Sequence, residues 1–345
     1  MIKLLLIYCL SILIFTCCNQ DVRSNQARSI SNLQVIDGKY DSNFPLSPVD
    51  DDIARIEQTV KLITNLSFYQ AYDFPYASKV KYSDLTEDVI NSKSNKRYKV
   101  KQPASGTATL IAQNLNKIAL LTCEHIISAP DTLINYYIEK NGDRTPYIQN
   151  IAVKTRESIN IITMSGLEHI QILASDLKLD IAIVEAVLNP MPILPVPVFT
   201  YKMGHAEELN WGTFVYIIGF PYGKKMISTG VVSSPNRDKQ KSFIVDATMN
   251  RGISGGLILA LRDGPPNFEL VGIASALSAE REYILRPDED FMESDIDFGR
   301  PYEGEIIIDK QMKINYGITY AISIDAIQNF IEKNRQVITE EGFSL

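Results

Sequence analysis

Short apolar or alternating runs recur along most of the chain, bounded by Gly, Pro, Asn or Asp. Runs of this kind read as β-strands. Examples are Ile118-Ala119-Leu120-Leu121, Ile151-Ala152-Val153, Asn160-Ile161-Ile162-Thr163, Ile170-Gln171-Ile172-Leu173 and Phe214-Val215-Tyr216-Ile217-Ile218. The pattern predicts an all-β protein. From Val60 the run Lys61-Leu62-Ile63-Thr64 alternates and begins the first strand. Residues 67–100 hold many Tyr and charged residues and read as a long excursion. Residues 189–197 are too rich in Pro for a central strand and read as a crossing. Two stretches have helical spacing instead. Asp50-Asp51-Asp52 puts acids at the positive end of a short helix, with Ile53, Ile56 and Val60 on one face. Residues 323–334 align Ile324, Ile327, Phe330 and Ile331 on another. No internal repeat is visible.

The first residues have a different pattern. Lys3 precedes the apolar run 4–15, which is too short for a spanning helix of about 20 residues. Residues 1–16 therefore read as a secretory signal. Residues 17–48 are polar and aperiodic and read as a flexible tether. Residues 49–335 form the expected folded domain, and 336–345 a tail.

Composition changes the picture little. Removing Lys3 leaves 33 basic and 41 acidic residues, a net charge of −8. Residues 280–309 alone hold 11 acids and 3 bases, so the imbalance is local. No basic patch suggests nucleic acid. The acids from Asp288 to Asp297 do not have calcium-loop spacing, so a solvated acidic loop is expected and no metal or cofactor is called for. Cys123 is the one cysteine inside the domain, so no disulfide framework exists; it reads as a small buried hydrophobe.

The candidate chemistry lies in three places. Ser254 sits in Gly252-Ile253-Ser254-Gly255-Gly256. A serine nucleophile needs a base for its proton and donors for the developing oxyanion. Gly252 permits a tight turn, and the N–H groups of Gly252 and Ser254 are the candidate donors. Taken alone, the same stretch also suits an ordinary turn. His125 follows a buried strand and taken alone reads as a packed histidine, whereas His169 and His205 sit in polar surroundings and read as surface residues. Asp180 opens the apolar run Ile181-Ala182-Ile183-Val184, where an unpaired carboxylate would be costly. It either caps a turn or orients an imidazole. The order His, Asp, Ser is that of one proteolytic triad; α/β-hydrolases place Ser first.

These stretches resemble the trypsin-like serine proteases of the bacterial HtrA/Deg type over roughly residues 55–335. The likeness rests on Ser105-Gly106-Thr107-Ala108-Thr109, Leu121-Thr122-Cys123-Glu124-His125, Leu179-Asp180-Ile181-Ala182, Ile218-Gly219-Phe220-Pro221, Asp246 to Gly256, Val271-Gly272-Ile273-Ala274 and Tyr316 to Ile322. The chain departs from the family at Cys123, Glu124, Arg251 and Ile253. The resemblance implies two six-stranded antiparallel β-barrels with a C-terminal helix, His125 and Asp180 in the first and Ser254 in the second. It implies a substrate pocket at Thr248, Gly272, Ile273 and Ala274. A neutral Thr248 at its base favours small or medium apolar side chains. It implies protein or peptide substrates, a serine endopeptidase active in envelope protein processing or quality control, and no regulatory PDZ domain, since about ten residues follow Asn334. The alternative is a catalytically weak or inactive binding or chaperone-like lipoprotein that keeps the trypsin fold. The Cys17-Cys18 pair resembles a bacterial lipoprotein's anchor, with Cys17 the expected site and Cys18 the alternative. A membrane-anchored place in the bacterial cell envelope follows.

Overall fold

Three consecutive acids open helix α1 (Asp50–Thr59), which buries Ile56 and delivers the chain directly into strand β1 (Val60–Asp73). Along β1 the buried positions alternate, with Ile63, Asn65, Ser67, Tyr69 and Ala71 inward. Its partners are β2 (Lys96–Asn114) and β5 (Arg144–Ile161). With β3 (Lys117–Thr122), β4 (Thr132–Ile138), β6 (Leu167–Asp176) and β7 (Ile181–Leu188) they form an antiparallel sheet of order β4-β5-β1-β2-β3-β7-β6. The computed structural model describes residues 36–139, 143–247, 250–287, 299, 304 and 306–345, except the side chains of 276–283 and 307–316.

The excursion expected at 67–100 is mostly ladder. β1 and β2 stay paired out to Asp73 and Lys96, and only 74–95 leave the sheet, with the short helix α2 (Glu87–Lys93) among them. The physical reason is clear. Phe68, Tyr69, Tyr72 and Tyr98 are good strand formers, and the intervening Lys and Arg sit on exposed positions. Polar composition here marks an exposed strand pair rather than a loop. A small cluster of Phe74, Val80, Ile148 and Ile151 closes its tip.

Residues 189–201 carry no strand, as the Pro-rich pattern predicts. A second sheet follows. It contains β8 (Lys202–Met203), β9 (Phe214–Gly219), β10 (Met226–Ser234), β11 (Phe243–Val245), β12 (Leu257–Leu261), β13 (Phe268–Pro287) and β14 (Ile306–Ser323), in the order β12-β9-β10-β11-β14-β13-β8. β12 also pairs with β13, which closes six strands into a ring; β8 is a two-residue parallel addition to β13. The fold is thus all-β and built from two barrel-like sheets. The strand count exceeds the expected six by one in each, and among the described pairings only the second sheet closes.

The C-terminal helix α4 (Ile324–Lys333) forms where its spacing predicts. Ser323 caps it, accepting from the N–H of Ala326 at 3.1 Å, and Ile324, Ile327 and Phe330 are buried. A further short helix, α5 (Arg335–Glu340), lies in the segment read as a tail, and Ile338 and Phe343 bury their side chains there. The acidic segment 280–309 lies largely outside the described residues. Its two ends continue β13 and β14 as a paired ladder from Ala279–Ile314 to Pro287–Ile306.

Candidate active site

The first barrel-like sheet supplies a histidine and an acid from adjacent strand ends. β3 ends at Thr122, and a single helical turn, α3 (Glu124–Ile127), follows and carries His125. Asp180 precedes β7 in the left-handed region at φ 57°, a conformation Asp tolerates better than most residues. Because β3 and β7 are neighbours, the two side chains meet. His125 Nδ1 lies 2.8 Å from both carboxylate oxygens of Asp180, and the His125 backbone N–H donates to the same carboxylate at 3.0 Å. The imidazole is about half exposed and the carboxylate mostly covered. Burial works against ionising Asp180. Hydrogen bonds from His125 and Ser275 outweigh it, and the carboxyl sits below its ordinary range.

The second sheet supplies Ser254 from the turn before β12. Gly252 (φ 99°) and Gly255 (φ 81°) make that turn possible. A Cβ at Gly252 would lie 2.4 Å from the Phe220 carbonyl oxygen, and one at Gly255 2.0 Å from that of Thr107. The Ser254 hydroxyl donates to the carbonyl of Ser275 at 2.6 Å. The Ser275 hydroxyl in turn donates to Asp180 at 2.6 Å. His125, Asp180, Ser275 and Ser254 therefore form one connected polar chain across the two sheets. Ser275 was not singled out in the sequence; a hydroxyl ending the apolar run Gly272-Ile273-Ala274 was the available signal.

Thr107 was also missed, and it holds the Ser254 turn from the other side. Its N–H donates to the Ser254 carbonyl at 2.7 Å, and its hydroxyl donates to the Gly252 carbonyl at 2.9 Å. The same hydroxyl accepts from the Phe220 N–H at 2.9 Å. Thr122 donates to the Thr107 carbonyl at 2.8 Å. The Tyr222 N–H donates to the Arg251 carbonyl at 2.7 Å. The carbonyls of residues 251, 252 and 254 are thus all occupied by donors. The N–H groups of Gly252 and Ser254 donate to no described residue.

The remaining expected residues are placed differently. Gly272, Ile273 and Ala274 are buried and present no side chain to open space. A Cβ on Gly272 would meet the Ile322 carbonyl at 2.4 Å and the Phe243 ring at 3.0 Å. Ala274 serves through its backbone, accepting from the Gly255 N–H at 2.6 Å and donating to the Gly256 carbonyl at 2.8 Å. Thr248 and Cys17 lie outside the described residues. Ile253, a departure from the family pattern, points inward; it fills space beside Gly219 and Gly256 and is 2% exposed. His169 and His205 are exposed.

Cys123 is buried, with its thiol directed at the Ala274 carbonyl at 3.4 Å. Burial, and then the charge of Asp180, push that thiol well up from its usual range, so it is a poor nucleophile. Among the described residues, the ligand atoms of Cys123, His125 and Asp180 lie within 4.8 Å of one another, close enough for a metal ion. A protonated thiol and an imidazole already bonded to the acid make that set a weak one. No helix of the described residues is long and apolar enough to cross a membrane.

Comparison with known proteins bears on the domain that carries these residues. Residues 106–273 match the trypsin-like peptidase domain. The chain is 28% identical over 137 residues to a serine protease HtrA-like protein of Staphylococcus haemolyticus, which covers 32% of this chain and 21% of that protein. It is 31% identical over 116 residues to the periplasmic serine endoprotease DegP of Escherichia coli, covering 32% and 22%. It is 30% identical over 138 residues to the periplasmic pH-dependent serine endoprotease DegQ of Escherichia coli, covering 38% and 28%. The chain spans about a quarter of the length of these curated relatives. Fold and relatives together support a trypsin-like peptidase domain over residues 106–273, similar at about 30% identity to proteases of the HtrA and DegP kind.

Proposed function

We propose that the chain is a serine endopeptidase in which Ser254 is the nucleophile, His125 the base and Asp180 the group that orients and stabilises the imidazole. The observation that carries this reading is the paired contact of His125 Nδ1 with both oxygens of an ionised Asp180. It fixes the tautomer with the proton on Nδ1 and leaves Nε2 as the acceptor.

The reaction then runs in two halves. Ser254 Oγ turns from the Ser275 carbonyl toward Nε2 and gives up its proton as it bonds to the substrate carbonyl carbon. The carbonyl π pair moves to oxygen, and the N–H groups of Gly252 and Ser254 stabilise the charge. Collapse expels the amine, which takes the proton from Nε2. Water repeats the cycle on the acyl-enzyme with His125 again as base. Substrates are proteins or peptides. The periplasmic relatives and the expected signal support an envelope location. Anchoring through a lipid on Cys17, and work in protein processing or quality control, complete the proposal.

One observation favours a second reading. The Ser254 hydroxyl is bonded to Ser275, so a catalytically silent, peptide-binding relative would rest in this same arrangement. A peptide-library digest with wild type and Ser254→Ala in parallel separates the two. Cleavage by wild type alone is expected, and cleavage that survives in Ser254→Ala would overturn the assignment.

A further inference from the structure

The strand that braces the nucleophile does not stop there. From Thr107, bonded to the Ser254 carbonyl, β2 runs back through Pro103, Lys101 and Lys99 to Arg97. On one side it pairs with β1 throughout, but β3 pairs with it only from Thr109 onward. Among the described residues, the opposite edge of 97–105 therefore belongs to no sheet.

Thr107 tells which backbone groups face that edge. Its N–H goes to Ser254 and its carbonyl accepts from Thr122, both away from β1. Backbone direction alternates along a strand, so Ser105, Pro103, Lys101, Lys99 and Arg97 turn their polar groups the same way. These groups bond to no described residue.

The side chains of these residues are basic. Between Asn95 and Ser105 stand Lys96, Arg97, Lys99 and Lys101, with no acid. Arg97, Lys99 and Lys101 share one face, paired with Tyr72, Gln70 and Phe68. Arg97 lies over the Tyr72 ring at 5.4 Å, and Lys101 over Phe68 at 5.8 Å, with Arg156 over the same Phe68 ring at 4.3 Å. The cationic heads of Arg97 and Lys101 thus rest over rings of the neighbouring strand β1. No acid occupies the rows from Pro103–Leu66 to Arg97–Tyr72 on this face. A chain of net charge −7 thus carries a local cationic edge that its overall charge conceals.

We propose that this edge is an exosite for acidic polypeptide substrates. A segment leaving the scissile bond on the β2 side adds as a strand to the edge, and Arg97, Lys99 and Lys101 pair with its carboxylates. The proposal rests on Ser254 as nucleophile, since that places the edge at the reacting bond. A strand advances about 3.3 Å per residue, so Lys101 lies roughly 20 Å from Thr107 and Arg97 roughly 33 Å. Acidic residues from about the sixth position past the cleaved bond would meet the first cation. Exposed edges invite unwanted pairing, and Lys and Pro discourage it. Here like charges repel a second copy of this edge, while an acidic strand is admitted.

The test uses reporter peptides with a run of Asp and Glu beginning about six residues from the cleaved bond, on either side, and Asn/Gln counterparts. Wild type should cleave one of the acidic peptides with roughly tenfold higher kcat/KM than its neutral counterpart at low salt, and the gain should fade at 1 M salt. The triple change Arg97→Glu, Lys99→Glu, Lys101→Glu should abolish the gain and leave a short reporter unaffected. Lys99→Pro, which removes an edge N–H, should lower it more than Lys99→Ala does. Anisotropy with a labelled acidic peptide and Ser254→Ala protein measures binding without turnover. Equal rates for acidic and neutral peptides, with the short reporter cleaved, would overturn the exosite. So would loss of anionic-vesicle binding in the triple variant with peptide rates unchanged. If no reporter is cleaved but the acidic peptide binds and the triple variant does not bind it, the nucleophile assignment fails and the edge site stands.

Discussion

Asp180 concentrates the site's electrostatics in one side chain. Its carboxyl lies below its ordinary value of 3.8 because His125 and Ser275 hydrogen-bond it, against the opposing effect of burial. A depressed carboxyl stabilises the fold above pH 3.8, and that contribution disappears as the pH falls from there through the lower folded value. The Tm of wild type should therefore fall more steeply than that of Asp180→Asn over this acid range. A parallel pH dependence would contradict the pairing. At neutral pH the same substitution should lower kcat by roughly 10⁴-fold, because the imidazole loses the partner that fixes its tautomer. Thr107→Val is a second residue-scale test. It keeps the shape and leaves the Gly252 carbonyl and the Phe220 N–H without their buried partner. A stability loss of about 1–3 kcal/mol is expected, with kcat reduced more than KM is raised. Thr107→Ser should restore most of both. A KM effect alone would mean that Thr107 does not position the oxyanion donors.

At the scale of elements, legibility followed periodicity. Helix α4 was readable because Ile324, Ile327, Phe330 and Ile331 recur at helical spacing and all lie toward the core. Phe330→Ala should cost about 3–5 kcal/mol, measurable by denaturant unfolding, since the ring is 1% exposed. A loss under about 1 kcal/mol would mean that the helix does not pack as described. The pairing of His125 with Asp180 was readable because each came with a local sequence suited to an imidazole–carboxylate contact, whereas the bond of the Ser254 hydroxyl to the Ser275 carbonyl was not. The paired arms of β1 and β2 were not. Their exposed faces carry Lys and Arg, so the period-2 signal was buried under loop-like composition. Gly272, Ile273 and Ala274 read as pocket-lining residues in the sequence; the structure buries all three, and the polar contact with Ser254 begins one residue later at Ser275. Thr107 and Ser275 act through contacts 145 and 95 positions away in sequence, and no local pattern announces such partners.

Across the whole molecule, the two barrel-like sheets meet the chemistry at a seam of backbone hydrogen bonds. β2 from the first sheet and the Ser254 turn from the second join through Thr107, and β13 joins them through Gly255, Ala274 and Ser275. Ser254 is thereby held between strands rather than on a free loop, the arrangement the proposed oxyanion site requires. The measurement that tests this most directly is intact-mass analysis after reaction with a fluorophosphonate. Wild type should gain one adduct, located on Ser254 by peptide mapping. Ser254→Ala should gain none, and His125→Ala should react far more slowly. An unmodified wild-type protein, or an adduct on another residue, would contradict the account.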